Sequence, residues 1–348
     1  MSEDIQKILE AGCRAPSGSN SQPWRFMVKD NQISIFALPE KDHPILNFRH
    51  RGTWVAHGAL LENILITSSH LGYKTDVKLF PDKDYPKFIA KITLEKTSPK
   101  NEPLYSAIWS RAINRKPYKN TPLTIKQKEN LLNGANEIAD NEIKIIEDPN
   151  YLKTLGWAVS VNEIVMLENK ALHKLFFDEI VWTKEEEEKK KVGMYLKTLE
   201  LKPPQKFGLR IASSWPIMNI LNKAGMARII AKQNADIYSQ CALMGVILVK
   251  DRDEDFITVG RMIERIWLNA TAMGLSLHLI TGIFFFWQRI MLGGAKEFSE
   301  EHIKILKKAY DTTAEIFDVK QNMIALLFRV GDGGEPSARS SRLPPIIV

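Results

Sequence analysis

The residues with the densest hydrogen-bonding chemistry near the start of the chain form a polar loop between Ala15 and Trp24. Between these two residues lie two prolines, one glycine, three serines, one asparagine and one glutamine. Such a segment cannot extend a helix, and its short side chains offer many donors and acceptors. It suits contact with the edge of a planar polar ligand. Composition alone leaves an ordinary helix-to-strand connection equally open.

Arginines in two later stretches are candidates for binding an anion, since a guanidinium group forms paired hydrogen bonds with a phosphate. Arg111 and Arg115 lie four residues apart, and Arg339 and Arg342 precede an apolar C-terminal end. Taken alone, the first pair is typical of the exposed face of a helix. The apolar residues after Arg342 predict that the second pair lies on a docked segment.

Other kinds of reactive site are not indicated by the sequence. Seven histidines are scattered, and no metal-ligand spacing or nucleophile signature is present. Cys13 and Cys241 are the two cysteines, which excludes a disulfide framework and a thiolate zinc cluster. No Gly-x-Gly-x-x-Gly motif follows a strand, so no dedicated dinucleotide site is predicted. His278 is interpreted as a structural residue, and no catalytic or metal-binding side chain is assigned.

Length, charge and hydropathy place the chain among cytoplasmic globular proteins. Its 348 residues allow two domains or one large one. The net charge of +7 comes from 48 basic residues interspersed with 41 acidic ones, and no nucleic-acid motif accompanies them. No apolar run approaches the roughly 20 residues that span a bilayer. We therefore expect no nucleic-acid and no membrane partner.

Periodicity divides the chain into two halves, residues 1–101 and 102–348, joined by a polar linker over 97–103. In the first half it predicts a helix before the polar loop and strands over 26–28, 32–36 and 88–94. In the second half it predicts helices over 106–115 and 124–133 and a strand over 143–146. Residues from about 150 to 240 are mostly helical, with one helix over 217–232, and are interpreted as an insert.

A short pattern recurs at a constant offset of 202 residues and indicates an internal duplication. The two copies are Gly58, Glu62, Ile66, Gly72 and Gly260, Glu264, Leu268, Gly274. Each copy predicts a helix that begins at one glycine and ends at the other. The polar loop and the Arg111 segment each occur once, on different halves. The position equivalent to the loop reads Gly134-Ala135-Asn136-Glu137.

Four stretches of the chain resemble the nitroreductase family of FMN-dependent oxidoreductases. Residues 16–24 resemble its Pro-Ser-x-x-Asn-x-Gln-Pro-Trp loop, and residues 111–118 resemble its Arg-x-Ser-x-Arg/Lys-x-Phe segment. Residues 274–282 resemble Gly-Leu-x-x-x-Pro-x-Glu-Gly, and residues 339–344 resemble the terminal Lys-Ser-Arg-Leu-Pro. The length and the repeat resemble the Acg-type subgroup, in which two such halves are fused. Four positions depart from the family pattern: Ile113, Leu279, Thr281 and Ser340.

The resemblance implies an FMN site at the seam between the halves. Arg111 and Arg342, with Arg339 beside them, would bind the phosphate, and Arg115 would lie at the pyrimidine edge. The backbone of Thr281 and Gly282 would face flavin N5. The loop would supply the remaining contacts, from Pro16, Ser17, Gly18, Asn20 and Gln22.

The resemblance also implies a fold and an activity. The fold would be α+β and nitroreductase-like, with two pseudo-symmetric halves, each a mixed or antiparallel sheet flanked by helices. The activity would be NAD(P)H-dependent, ping-pong reduction of nitro, quinone or similar electron-poor compounds, centred on the flavin. The alternative is a protein that sequesters FMN under a lid formed by the insert. Either function is compatible with a monomer or a homodimer.

Overall fold

The computed structural model describes residues 1–138 and 142–348. The first half contains two helices and four strands. In chain order they are α1 (Glu3–Gly12), β1 (Trp24–Lys29), β2 (Gln32–Ala37), α2 (Arg51–His70), β3 (Tyr73–Leu79) and β4 (Phe88–Lys96). The strands pair antiparallel in the order β1-β2-β4-β3. The predicted strands are confirmed. The edge strand β3, whose residues alternate between exposed and half-buried, was not predicted.

The second half begins with α3 (Tyr105–Ser110), α4 (Ile125–Leu132) and β5 (Glu142–Ile146). The predicted insert is mostly helical, with one short parallel pair of strands. Its elements are α5 (Pro149–Glu168), α6 (Lys170–Asp178), β6 (Ile180–Val181), α7 (Lys184–Lys190), β7 (Met194–Tyr195), α8 (Pro203–Ala212), α9 (Trp215–Lys223) and α10 (Met226–Ser239). One helix was predicted over 217–232, but Gly225 separates α9 from α10 by adopting a φ of +80°.

The chain ends with a second set of strands and helices. They are β8 (Leu243–Val249), α11 (Asp253–Ala272), β9 (Ser276–Ile280), α12 (Gly282–Met291), α13 (Glu300–Ile316) and β10 (Met323–Gly331). The second sheet is antiparallel and has the order β5-β8-β10-β9. Every residue of β8 is buried, since one apolar core lies between the sheets and another lies under α5, α12 and α13.

The second sheet repeats the strand order of the first. In each sheet a long helix follows the second strand, the third strand forms an edge, and the fourth returns to the centre. The fold is therefore α+β, and the two sheets are consistent with two halves. The division of the chain at residue 101 stays a prediction.

The repeated glycines mark the crossing of α2 and α11. A Cβ atom on Gly58 would lie 1.9 Å from the carbonyl oxygen of Ile257, and one on Gly260 would lie 2.0 Å from that of Val55. These two contacts are related by the same offset of 202 residues. The prediction that each helix begins at its glycine is wrong, because both glycines lie inside a helix and allow close backbone contact.

The glycines at the other end of the repeat do end their helices. Gly72 and Gly274 follow α2 and α11 with φ angles of +79° and +71°, a conformation that favours glycine. This part of the sequence prediction is confirmed.

Only the first half of the predicted helix over 106–115 is confirmed, and the second half is wrong. Helix α3 ends at Ser110, and the chain then runs extended beside β9. Ile113 forms a parallel bridge with Leu277, and the backbone amide of Asn114 donates to the Leu277 carbonyl. Arg111 and Arg115 therefore lie on an extended segment, not on a helix face.

Among the described residues, no helix is long and apolar enough to cross a bilayer.

Replacing Gly58 with alanine tests the helix crossing. The added methyl group would meet backbone atoms that cannot rotate away, so Gly58→Ala should lower the free energy of unfolding by about 2–3 kcal/mol or more. Urea unfolding monitored by circular dichroism measures this. Gly208→Ala on α8 is the matched control, because nothing lies within 4 Å of its added Cβ. The control should gain about 0.5–1 kcal/mol. Equal effects of the two substitutions would contradict a tight crossing.

Candidate functional site

The polar loop, the Arg111 segment and the C-terminal arginines meet around a cavity of about 110 Å³. The helical insert closes one side of this cavity, and Trp267 of α11 lies at its wall. Among the predicted residues, those that line it are Pro16, Ser17, Asn20, Arg111, Arg115, Arg339 and Arg342. Residues far apart in the sequence therefore converge at one place. Their role toward a ligand stays a prediction.

The loop has an unusual backbone. Ser19, Asn20 and Gln22 adopt φ angles of +46°, +57° and +51°, in the left-handed region that non-glycine residues seldom occupy. The Ser17 hydroxyl accepts a hydrogen bond from the Gln22 amide at 3.0 Å and closes the turn. Buried Trp24 anchors the end of the loop in the core. Strained backbone of this kind is concentrated at ligand-binding sites.

The side chains of the loop hold two other segments in place. The Asn20 amide nitrogen donates to the carbonyls of Lys191 and Ser341, each at 3.1 Å. The Gln22 side chain donates to the Lys191 carbonyl at 2.7 Å and accepts from the Leu343 amide at 2.8 Å. Further along, the Phe26 amide donates to the Ile346 carbonyl. The C-terminal segment is thus docked, as its apolar residues predicted.

Arg111 forms a buried ion pair at the base of the cavity. Its Nε lies 3.1 Å from Oε1 of Glu264 on α11, and its Nη2 donates to the Arg14 carbonyl. The guanidinium carbon lies 4.5 Å from the centre of the Trp267 ring. Burial raises the pKa of Glu264, and the charge of Arg111 opposes that rise. Glu264, the second copy of the repeated glutamate, therefore positions Arg111, which is predicted to bind the phosphate.

Arg342 carries a charge that its surroundings do not balance. Its Nη1 donates to the carbonyls of Ser340 and Ser341, and its buried Nε has no hydrogen-bond partner. Burial, and then the charges of Arg111 and Arg14, lower the pKa of Arg342 to about 9. The carboxylates of Glu264 and Glu187 oppose this shift without cancelling it. An anion beside Arg342 would relieve the repulsion between these arginines.

At the corresponding position at the other end of the helix pair, the arginines are hydrogen-bonded to the buried carboxylate. Glu62 is the first copy of the repeated glutamate and is fully buried. Arg261 donates to it at 2.9 Å, and Nε of Arg265 donates at 2.7 Å. Gly134 lies against Arg265, where an added Cβ would be 3.0 Å from Nη1. Here two arginines share one carboxylate, and the polar loop is missing.

Residues 191–198 of the insert cover the cavity. The Lys191 carbonyl accepts hydrogen bonds from the loop, and the Thr198 carbonyl accepts one from Arg115 at 3.0 Å. Burial lowers the pKa of Arg115. Ligand pockets usually measure about 300–1,000 Å³, so a cofactor-sized molecule requires this covering segment to move.

The remaining predicted site residues do not line the cavity. Gly18 and Gln22 support the loop, and Thr281 and Gly282 lie at the start of α12 beside α5. A Cβ on Gly282 would be 2.1 Å from Oδ1 of Asn162, an oxygen that is buried without a partner. The structure therefore places the start of α12 against α5 of the insert.

Beside Asn162 lies a buried carboxyl group that sequence reasoning missed. Oε1 of Glu163 accepts hydrogen bonds from the Tyr238 hydroxyl at 2.5 Å and the Asn234 amide at 3.0 Å. Its Oε2 is buried without a partner. Burial raises the pKa of Glu163 to about 7, although both donors oppose the rise. The signal in the sequence was a single charged residue between Thr154 and Leu167 of α5.

His278, interpreted as structural, is an uncharged side chain inside the second sheet. It is buried in β9, and its Nδ1 accepts a hydrogen bond from Nε of Arg329 at 3.3 Å. Burial, together with the charges of Arg329 and Arg115, holds the pKa of His278 well below its ordinary value. The imidazole is therefore neutral.

Comparisons with known proteins agree with the resemblance seen in the sequence. Residues 2–35, which include α1, the polar loop and β1, match the family model described as Nitroreductase family. The chain is 31% identical over 90 residues to the putative NAD(P)H nitroreductase acg of Mycobacterium tuberculosis strain H37Rv, covering 25% of this chain and 27% of that protein. It is 27% identical over 123 residues to the putative NAD(P)H nitroreductase Rv3131 of the same strain, covering 35% and 36%. These matches span about a quarter to a third of each relative.

Solved structures with some likeness include nitroreductases. A putative nitroreductase from Anabaena variabilis ATCC 29413 has a TM-score of 0.44 and 10% identity, covering 95% of this chain and 74% of that one. A nitroreductase with bound FMN from Desulfitobacterium hafniense DCB-2 has a TM-score of 0.37 and 7% identity, covering 70% and 95%.

The raised pKa of Glu163 predicts how stability depends on pH. Unfolded, this carboxyl titrates near 4.5, and folded it titrates near 7. The folded chain keeps the proton between these values, so this contribution to stability is complete below pH 4.5 and lost as pH rises through 7. The loss amounts to about 3 kcal/mol. Glu163→Gln keeps an acceptor for Tyr238 and does not titrate.

Urea unfolding of both proteins between pH 4.5 and 8 measures this dependence. Relative to Glu163→Gln, the wild-type protein should lose stability as pH rises. A stability difference that stays constant over this range would mean that Glu163 ionises normally.

Proposed function

We propose that this protein is an FMN-dependent oxidoreductase that uses NADPH or NADH to reduce nitro, quinone or similar electron-poor compounds. The observation that carries the proposal is the cluster of Arg14, Arg111 and Arg342 beside the polar loop. Its positive charge exceeds that of the carboxylates around it, and Nε of Arg342 is buried and unpaired. The adjoining loop lies within the part of the chain that matches the nitroreductase family.

The residues present fit an FMN phosphate. A dianionic phosphate would accept hydrogen bonds from Arg111 and Arg342 and would offset the repulsion that lowers the pKa of Arg342. Arg339, exposed and paired with Glu335 at 3.1 Å, lies at the edge of the same cavity. The loop residues from Pro16 to Gln22 would contact the rest of the cofactor once residues 191–198 move.

The chemistry that FMN supplies when bound is the exchange of a hydride with one partner at a time, which makes the reaction ping-pong. This chain contributes binding and electrostatics to it. Arg115 would place a positive charge at the pyrimidine edge, and such a charge stabilises negative charge on the reduced ring. The backbone amides of Thr281 and Gly282 are proposed to face N5. No side chain is assigned as a catalytic acid.

A storage protein that holds FMN under residues 191–198 is the alternative. The covering segment favours it, but the relatives are named nitroreductases, and we rank the reductase first. A cytoplasmic location and a monomeric or homodimeric state are part of the proposal.

Anaerobic reduction of the purified protein tests the proposed function. The protein should carry FMN, and NADPH or NADH should bleach the visible absorbance of the flavin as fast as the protein turns over a nitroaromatic or a quinone. Glu187→Ala is a useful companion, because Glu187 accepts the Ser341 amide at 2.6 Å and holds α7 against the C-terminal segment.

Two results would contradict the reductase. If neither donor bleaches the wild-type flavin but one bleaches it in Glu187→Ala, the protein stores FMN under a closed cover. A purified protein that neither contains FMN nor takes it up would remove the basis of both functions.

A further inference from the structure

Helices α8, α9 and α10 carry an uninterrupted basic segment. Residues 201–235 contain no aspartate or glutamate, although the whole chain has 41 acidic residues in 348. The basic residues of this segment are Lys202, Lys206, Arg210, Lys223, Arg228 and Lys232. Such a run of one sign is different from the mixed charge of the rest of the chain.

The same helices expose large apolar side chains. Phe207 is 70% exposed and Ile220 is 67% exposed, values that leave most of each side chain in water. Ile211, Ile217 and Ile229 are also exposed, at 39–49%. Scattered exposed isoleucines are ordinary, but five large apolar residues within 23 positions form a patch that requires an explanation.

These exposed residues lie on helices whose other sides pack into one shared core. Ala212 of α8, Met218 of α9 and Ala227 of α10 are buried in one small apolar core, together with Leu167 and Phe177. The opposite sides of the three helices therefore face away from the same core. On α8, Phe207 and Ile211 are four residues apart, and on α9, Ile217 and Ile220 are three apart, so each pair shares a helix face. We call this surface the basic apolar face.

The positive charge of the basic apolar face is mostly unneutralised. Arg228 pairs with Glu301, and Arg210 lies over the Trp182 ring at 5.6 Å. Lys202, Lys206, Lys223 and Lys232 form no ion pair with any residue in the described ranges 1–138 and 142–348. A negatively charged partner could therefore bind these lysines without breaking existing ion pairs.

We propose that the basic apolar face docks on the surface of a bilayer that contains anionic phospholipids. Phe207 and the isoleucines would enter the boundary between headgroups and acyl chains, and the lysines would lie at the level of the lipid phosphates. A second copy of this chain fits poorly, because two such faces would bring like charges together. Nucleic acid fits poorly too, because the exposed apolar residues are chiefly branched aliphatic side chains.

This proposal revises the expectation that the protein has no membrane partner. That expectation rested on the absence of a run long enough to span a bilayer, and surface docking requires no such run. The inference stands on the insert alone and does not depend on the proposed oxidoreductase activity.

Vesicle sedimentation tests the docking surface. The full-length protein should bind vesicles of phosphatidylcholine mixed with phosphatidylglycerol, bind phosphatidylcholine alone much more weakly, and dissociate as salt is raised. Phe207→Ser with Ile220→Ser should weaken binding to the anionic vesicles at least about tenfold. Lys206→Gln with Lys223→Gln should weaken it at least about fivefold.

A matched control changes the same residue types elsewhere. Ile125 is 74% exposed on α4, and Lys308 is exposed on α13, so Ile125→Ser with Lys308→Gln should bind as the wild type does. Circular dichroism of each variant establishes that it is folded.

Three results would overturn the proposal. The first is equal binding to both kinds of vesicle. The second is unchanged binding by the two variants of the face. The third is a dimer, detected by sedimentation velocity, that the Phe207→Ser, Ile220→Ser variant converts to a monomer, which would make a second copy the occupant.

Discussion

Helices α2 and α11 can cross with their backbones in contact because Gly58 and Gly260 have no side chains there. Four residues after each glycine, the crossing buries a glutamate, Glu62 on α2 and Glu264 on α11. A buried carboxylate without a partner would cost several kcal/mol, so each requires a basic residue from elsewhere in the fold. The crossing thus determines where arginines must lie.

The two halves meet this requirement differently, and the difference creates the site. Glu62 is paired with Arg261 and Arg265, which belong to the adjoining helix α11. Glu264 is paired with Arg111, which comes from the segment after α3 and lies beside the polar loop of the first half. The C-terminal segment then adds Arg342 on the same side. At one end both arginines are hydrogen-bonded to the buried carboxylate, whereas at the other the buried Nε of Arg342 has no partner.

Local patterns in the sequence predicted most of this framework. The strands β1, β2, β4 and β5, the helix α4 and the glycines that end α2 and α11 depend on neighbouring residues, so periodicity and turn chemistry were sufficient. The 202-residue offset was also visible in the sequence, and it identified Glu62 and Glu264 as equivalent positions of the repeat.

Interactions between distant residues could not be read in the same way. Arg111 and Arg115 have helical spacing, yet Leu277 of β9 holds that segment extended. Gly58 allows close backbone contact with α11, a helix about 200 residues away in the sequence. The covering segment at Lys191 is fixed by Asn20 and Gln22, and the pKa of Glu163 depends on α10. Each of these features depends on a contact that crosses more than 60 residues of sequence.

The central claim is that only one end of the helix crossing can bind FMN. Flavin absorbance measured against protein concentration after denaturation should give close to one FMN per chain. Arg342→Gln should weaken FMN binding about 10-fold to 100-fold, because a charge-assisted hydrogen bond to phosphate is lost. The matched variant Arg261→Gln, at the Glu62 end, should retain the wild-type ratio. A ratio close to two would contradict the unequal ends, and a ratio close to one-half would mean that two chains build one site.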